Sequence, residues 1–291
     1  MSVFRGSAVA LITPFRDGAI DYPALHSLVD RQIAGGTDAI VCCATTGECA
    51  TMSAEEKLAV ATDVIERVGG RIPVIVSTGG NNTSSVIAQS VAAEKAGANA
   101  LLIVTPYYNK TTQDGLVAHY YAVADKVRIP IIVYNVPSRT GLNILPSTMQ
   151  RLLQHENIVG TKEASGNIEQ IVNLAALCPD CELYSGNDDH TLPLLSIGGL
   201  GMISTIANIV PREMHDLCAT FFAGDLARAR EIQFAMLPLW KAAFCEVNPI
   251  PVKAMAGLLG LCSGEMRLPL VPPSEANLRM IADTLQSYRL L

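Results

Sequence analysis

Short apolar runs punctuate this chain, and the stretches between them carry apolar residues at helical spacing. The runs fall at residues 9–13, 39–43, 73–77, 100–105, 130–134, 158–162, 182–185 and 201–205, and the first seven start 24 to 34 residues apart. That interval suits a strand, a crossover helix and two loops. The runs are rich in Val, Ile and Leu and do not alternate with polar residues, as expected of parallel strands buried on both faces. Between them, Ser53-Ala-Glu-Glu56 forms a capping box ahead of Leu58, Ala61, Val64, Ile65 and Val68, which share one helix face. Gly69-Gly70 ends that helix, and Gly35-Gly36 and Gly97 end two others, each just before a strand. Eight such units predict an α/β fold, a (β/α)8 TIM barrel. A doubly wound sheet is the alternative, but no G-x-G-x-x-G follows the first strand. Strand signals cease after Thr205, and residues 212–223, 225–244, 251–261 and 274–287 read as helices. The expected division is a barrel over residues 1–224 and a small C-terminal helical domain over 225–291.

Composition narrows the function classes. Half the chain is hydrophobic (49%), enough for one large core. The net charge of -6, without a basic tail or an Arg/Lys cluster, argues against a nucleic-acid partner. The amino terminus lacks a signal-peptide pattern. The uncharged stretch 191–211 is broken by Pro193, glycines and Asn208, so it reads as a buried strand with its loops and not as a membrane span. The expectation is a cytoplasmic protein. Cys178 and Cys181 form a C-x-x-C, but further ligands at zinc spacing are missing from the pattern, and no metal is expected.

The strand ends carry the chemistry. Lys162 closes the sixth run, at the barrel face where such folds place their sites. A desolvated amine there can attack a ketone and form a Schiff base, although an ordinary strand-end lysine fits the position too. Tyr134 closes the fifth run, about 4.8 Å from the sixth if the strands are neighbours. A phenol at that distance can move protons while a carbinolamine dehydrates. Arg139, in Tyr134-Asn-Val-Pro-Ser-Arg-Thr-Gly141, can present a fork to a carboxylate. Ala44-Thr-Thr-Gly-Glu48 offers the hydroxyls of Thr45 and Thr46, and Thr105-Pro-Tyr-Tyr-Asn109 offers Tyr107 and Tyr108. The set suits a 2-oxo acid such as pyruvate, activated without a cofactor.

These segments resemble the dihydrodipicolinate synthase (4-hydroxy-tetrahydrodipicolinate synthase) family of the class I pyruvate-aldolase superfamily. The likeness runs from Phe4 to the last residue. It includes Gly6-Ser-Ala-Val-Ala-Leu-Ile-Thr-Pro-Phe15, Gly160-Thr-Lys-Glu163, Ser185-Gly-Asn-Asp188 and Asn248-Pro-Ile-Pro-Val-Lys253. The resemblance implies a lyase of lysine and diaminopimelate biosynthesis that condenses pyruvate with L-aspartate 4-semialdehyde. By it, Lys162 would form the Schiff base and Tyr134 would transfer protons. Thr46 would link Tyr134 to Tyr108, which would reach in from a neighbouring subunit. Thr45 would contact the pyruvate carboxylate, Arg139 would bind the semialdehyde carboxylate, and Gly186 and Ile203 would line the pocket through backbone groups. A homotetramer of two tight dimers is implied as well.

N-acetylneuraminate lyases and keto-deoxy sugar-acid aldolases share the fold, lysine and tyrosine, but generally lack the arginine that matches Arg139. A catalytically silent barrel acting as a scaffold is the competitor of another class, and the intact Lys162, Tyr134 and Thr46 argue against it. Lysine-sensitive members of the family bind lysine near the Thr-Thr-Gly-Glu loop. The corresponding residues here are Cys49, Ala50, Asn81, Ser85 and Tyr107. Those members resemble this chain at Ala50, Asn81 and Tyr107, but carry histidine at the place of Ala54, often another at Lys57, and glutamate at Ser85. Without that counter-charge, lysine inhibition is expected to be weak or absent.

Overall fold

The computed structural model describes residues 2–291. Eight parallel strands close into a barrel: β1 (Gly6–Ala10), β2 (Ala39–Cys42), β3 (Val74–Ser77), β4 (Ala100–Val104), β5 (Ile131–Asn135), β6 (Ile158–Glu163), β7 (Glu182–Ser185) and β8 (Gly201–Ser204). Each strand pairs with its sequence neighbour, and β8 pairs back to β1. Two apolar sets explain why the strand runs do not alternate with polar residues. Ala8, Ala10, Val41, Leu102, Ile132, Tyr184 and Ile203 pack together, and on the same strands the intervening Val9, Ile40, Leu101, Ile131, Val133 and Met202 join the larger core beneath the helices. Below β1 the ring of Phe4 stacks on Tyr184 at 4.2 Å, packing the amino-terminal end of the barrel.

Seven strands lie within one or two residues of the expected runs. The first does not. Expected at residues 9–13, it is Gly6–Ala10. Gly6 and Ser7 look like loop formers, yet they pair with Gly201 and Met202, because a barrel interior accepts small residues where strands approach closely. The Leu11 amide still donates to the Val41 carbonyl, but the Ile12 amide donates to the Asn208 side chain. The stretch 191–211 is more than a strand with loops: it opens with a helix, Thr191–Ser196, before β8. Among the described residues, no helix is long and apolar enough to cross a membrane.

Helix Ala54–Val68 carries the expected capping box, with Ser53 and Glu56 bonded reciprocally, and ends on Gly69 in the left-handed region at φ 57°. After β8 come helices Pro211–Phe222, Leu226–Ala243, Ile250–Leu258 and Glu275–Ser287. The first packs on β1, and the last three pack on one another. The turn between Ala243 and Ile250 reaches the carboxyl-terminal mouth of the barrel, where Val247 and Asn248 line a cavity.

Candidate active site

The β5–β6 register sets Tyr134 directly opposite Lys162. Both are buried, Lys162 to 4% exposure, and its Nζ stands 4.5 Å from the centroid of the phenol ring. Burial lowers the Lys162 pKa to about 8; the Asp188 carboxylate opposes that shift and the Arg139 guanidinium adds to it. Asp188 is itself buried and pushed up by desolvation. One of its oxygens accepts from the Thr205 and Ile206 amides, and the other has no hydrogen-bond partner among the described residues. Burial also raises the Tyr134 pKa, with Arg139 and the Thr45 side chain pulling the other way. The site therefore holds a mostly neutral phenol beside an amine whose neutral form is accessible near physiological pH.

Gly186 explains how the lysine fits. A Cβ at that position would stand 2.7 Å from the Ala164 Cβ and 3.1 Å from the Lys162 Cε. Ile203 is fully buried on β8, opposite Ala8. Above this floor lies a cavity of about 290 Å³ lined by Thr45, Tyr107, Tyr134, Arg139, Asn248 and Leu270, among others. Lys162 is not in its wall; its amine lies over the face of Tyr134, which is. Arg139 sits on the short helix Pro137–Thr140 and donates from Nη2 to the Asn248 carbonyl at 3.0 Å.

Within this chain Thr46 faces Asn248. Its side chain is buried, and its hydroxyl accepts from the Asn248 amide nitrogen at 3.1 Å. The Thr45 side chain favours the ionised form of the Tyr134 phenol. The turn after β2 bonds the Gly47 amide to the Ala44 carbonyl and the Glu48 amide to that of Thr45, so adjacent threonines point to different partners. Tyr108 is not brought to the site of its own chain at all. It is 93% exposed and takes the left-handed φ of 69°, a backbone state uncommon for a bulky residue.

Of the residues at the expected lysine pocket, Cys49, Ala50 and Tyr107 line the cavity, together with Lys57. Asn81 and Ser85 do not: the Asn81 carbonyl accepts from Asn109, and Ser85 lies exposed in the first turn of helix Thr83–Lys95. Among the described residues no group of three or more His, Cys, Asp or Glu is arranged to hold a metal ion, and all eight cysteines are free. Sequence reasoning gave no role to Asn248, which touches both Thr46 and Arg139, or to Asp188. Both stand in motifs quoted above, but nothing local marks a contact across 202 residues of chain.

A buried amine and a phenol at adjacent strand ends, under a mouth that carries a guanidinium, are the parts of a Schiff-base-forming β/α-barrel lyase. The chain belongs to the Dihydrodipicolinate synthetase family, whose model matches residues 3–288. It is 51% identical to the 4-hydroxy-tetrahydrodipicolinate synthase of Caldicellulosiruptor bescii over 289 residues, 99% of this chain and 98% of that one. The dihydrodipicolinate synthase structure from Thermotoga maritima superposes with a TM-score of 0.97 at 43% identity, covering both chains fully. The chloride-inhibited Acinetobacter baumannii enzyme, solved with pyruvate, gives 0.96 at 41% identity over 99% of each chain.

Proposed function

We propose that this chain is a 4-hydroxy-tetrahydrodipicolinate synthase, condensing pyruvate with L-aspartate 4-semialdehyde in lysine and diaminopimelate biosynthesis. The observation that carries the reading is the buried Lys162 amine held against Tyr134 at adjacent strand ends. The neutral amine attacks the pyruvate C2 carbonyl. Tyr134 carries protons as the carbinolamine loses water to give the imine. Loss of a C3 proton yields the enamine, which attacks the aldehyde carbon of the second substrate. That substrate's own amine then displaces Lys162 from C2 and closes the six-membered ring. The net products are (2S,4S)-4-hydroxy-2,3,4,5-tetrahydrodipicolinate and one water.

In this reading Thr45 and Thr46 secure the pyruvate carboxylate, Gly186 and Ile203 line the pocket through backbone groups, and Arg139 at the mouth takes the semialdehyde carboxylate. The exposure and strained backbone of Tyr108 suit a side chain that completes a partner's site, so the working unit is at least a dimer, and two dimers form a tetramer. The enzyme works in the cytoplasm, with the barrel over residues 1–224 carrying the chemistry and the helices of 225–291 bracing its mouth. Incubation with pyruvate, borohydride reduction and peptide mapping tests the assignment. A reduced pyruvate adduct on Lys162 is expected, and an unmodified Lys162 in active protein overturns it.

A further inference from the structure

The segments Ala44-Thr-Thr-Gly-Glu48 and Asn248-Pro-Ile-Pro-Val-Lys253 meet in a fully buried ion pair. Lys253 Nζ bonds Glu48 Oε1, and both side chains are 0% exposed. The other Glu48 oxygen accepts the Arg267 backbone amide at 3.2 Å. The Phe15 ring meets two cations, Lys253 Nζ at 4.1 Å and Arg267 Cζ at 4.4 Å from its centroid. Arg267 also forks onto Glu56 and reaches the Gly18 carbonyl. Glu48 therefore joins the loop after β2 to the C-terminal helices, and it does so with φ at 56°, a left-handed state that costs energy in a non-glycine residue.

Such a pair is a poor device for stability. Desolvating two ions costs several kcal/mol each, and apolar residues of similar volume often serve as well. Its distinctive property is direction: two donors at fixed angles orient the Glu48 carboxylate and hence the turn that Glu48 closes onto the Thr45 carbonyl. Five residues before Lys253, Asn248 donates to Thr46 and accepts from Arg139. One segment of the helical extension thus touches the residues at both ends of the site.

We propose that Lys253, through Glu48, is a positioning residue that sets Thr45 and Thr46 for the pyruvate carboxylate; this rests on the function proposed above. Removing Lys253 alone leaves a buried carboxylate unpaired and endangers the fold, so the informative variant is Glu48→Leu with Lys253→Met. A purely structural pair predicts that this apolar substitute restores both stability and kinetics. A positioning pair predicts a thermal midpoint near that of the parent, with the pyruvate KM raised about 10- to 100-fold. Imine trapping at low pyruvate should slow by the same factor, while the semialdehyde KM changes far less. A folded double variant with the parent's pyruvate KM overturns the proposal. Should the double variant fail to fold, Glu48→Gln with Lys253→Met leaves no buried charge unpaired and keeps an oxygen for the Arg267 amide while losing the Lys253 donor, and an unchanged pyruvate KM in that folded variant overturns it equally. Failure of the parent protein itself to trap pyruvate on Lys162 would strike the proposed function instead, before any variant is compared.

Discussion

The depressed pKa of Lys162 makes a quantitative prediction about imine formation. At pH 7 an amine of pKa about 8 is roughly one-tenth neutral, whereas an ordinary lysine at 10.5 is neutral in about three molecules per ten thousand. Burial therefore raises the reactive fraction about 300-fold. The rate of borohydride-trappable adduct at fixed, subsaturating pyruvate should climb with pH and level off above about 8. Replacing Asp188 by Asn removes the carboxylate that favours the ammonium form. The midpoint should then move to lower pH. Asn keeps a carbonyl oxygen for the Thr205 and Ile206 amides, so the loop survives the change. Stability gives an independent readout. Because the folded pKa lies below the unfolded one, the cost of burying the charged amine is present in full below about pH 8 and fades as pH rises towards 10.5. That cost is up to about 3 kcal/mol. Lys162→Met should relieve it at neutral pH while abolishing adduct formation. A trapping profile still rising steeply through pH 10, or a midpoint moved upward in Asp188→Asn, would refute the reasoning.

Arg139→Ala should leave pyruvate trapping largely intact and weaken condensation by about 2–5 kcal/mol, read as a loss of kcat/KM for the semialdehyde; equal loss of trapping would contradict its place at the mouth. Gly186→Ala puts a methyl group against Ala164 and the lysine stem, so it should cost about 1–3 kcal/mol in denaturant unfolding and slow labelling of Lys162. Mixing Tyr108→Phe with Lys162→Ala protein under conditions that exchange subunits should recover some activity, and verified mixed dimers without recovery would remove Tyr108 from a shared site. Lysine titrated into a steady-state assay should inhibit weakly or not at all, because Ser85 supplies no carboxylate and Lys57 adds a like charge in the cavity wall; strong inhibition below millimolar lysine would show that other groups hold the ammonium.

The barrel was legible because its signals are local and repeated. An apolar run, a cap such as Ser53 with Glu56, and a glycine stop recur at a spacing that leaves few alternative topologies. The one misplaced strand shows the limit of that reasoning. Apolar content marks where a strand is greasy, and β1 begins at Gly6 and Ser7, whose value lies in being small where β8 passes close by. No window centred on β1 contains Gly201, so the reason for the glycine is invisible without the partner strand.

The site divides along the same line. Lys162 and Tyr134 could be paired from strand order alone, since neighbouring strands in a parallel barrel bring their ends together. The two threonines could not be told apart, because adjacent residues in a tight turn point in different directions. Which one meets Tyr134 depends on the turn that Gly47 and Glu48 make. That turn depends in turn on Lys253 and Arg267, more than 200 residues away. Asn248 belongs with them: it bonds Thr46 and carries the arginine at the mouth. The amine and phenol of the proposed mechanism were thus written at strand ends, where position has a local meaning. Their alignment was delegated to a distant segment, whose meaning exists only once the chain has folded.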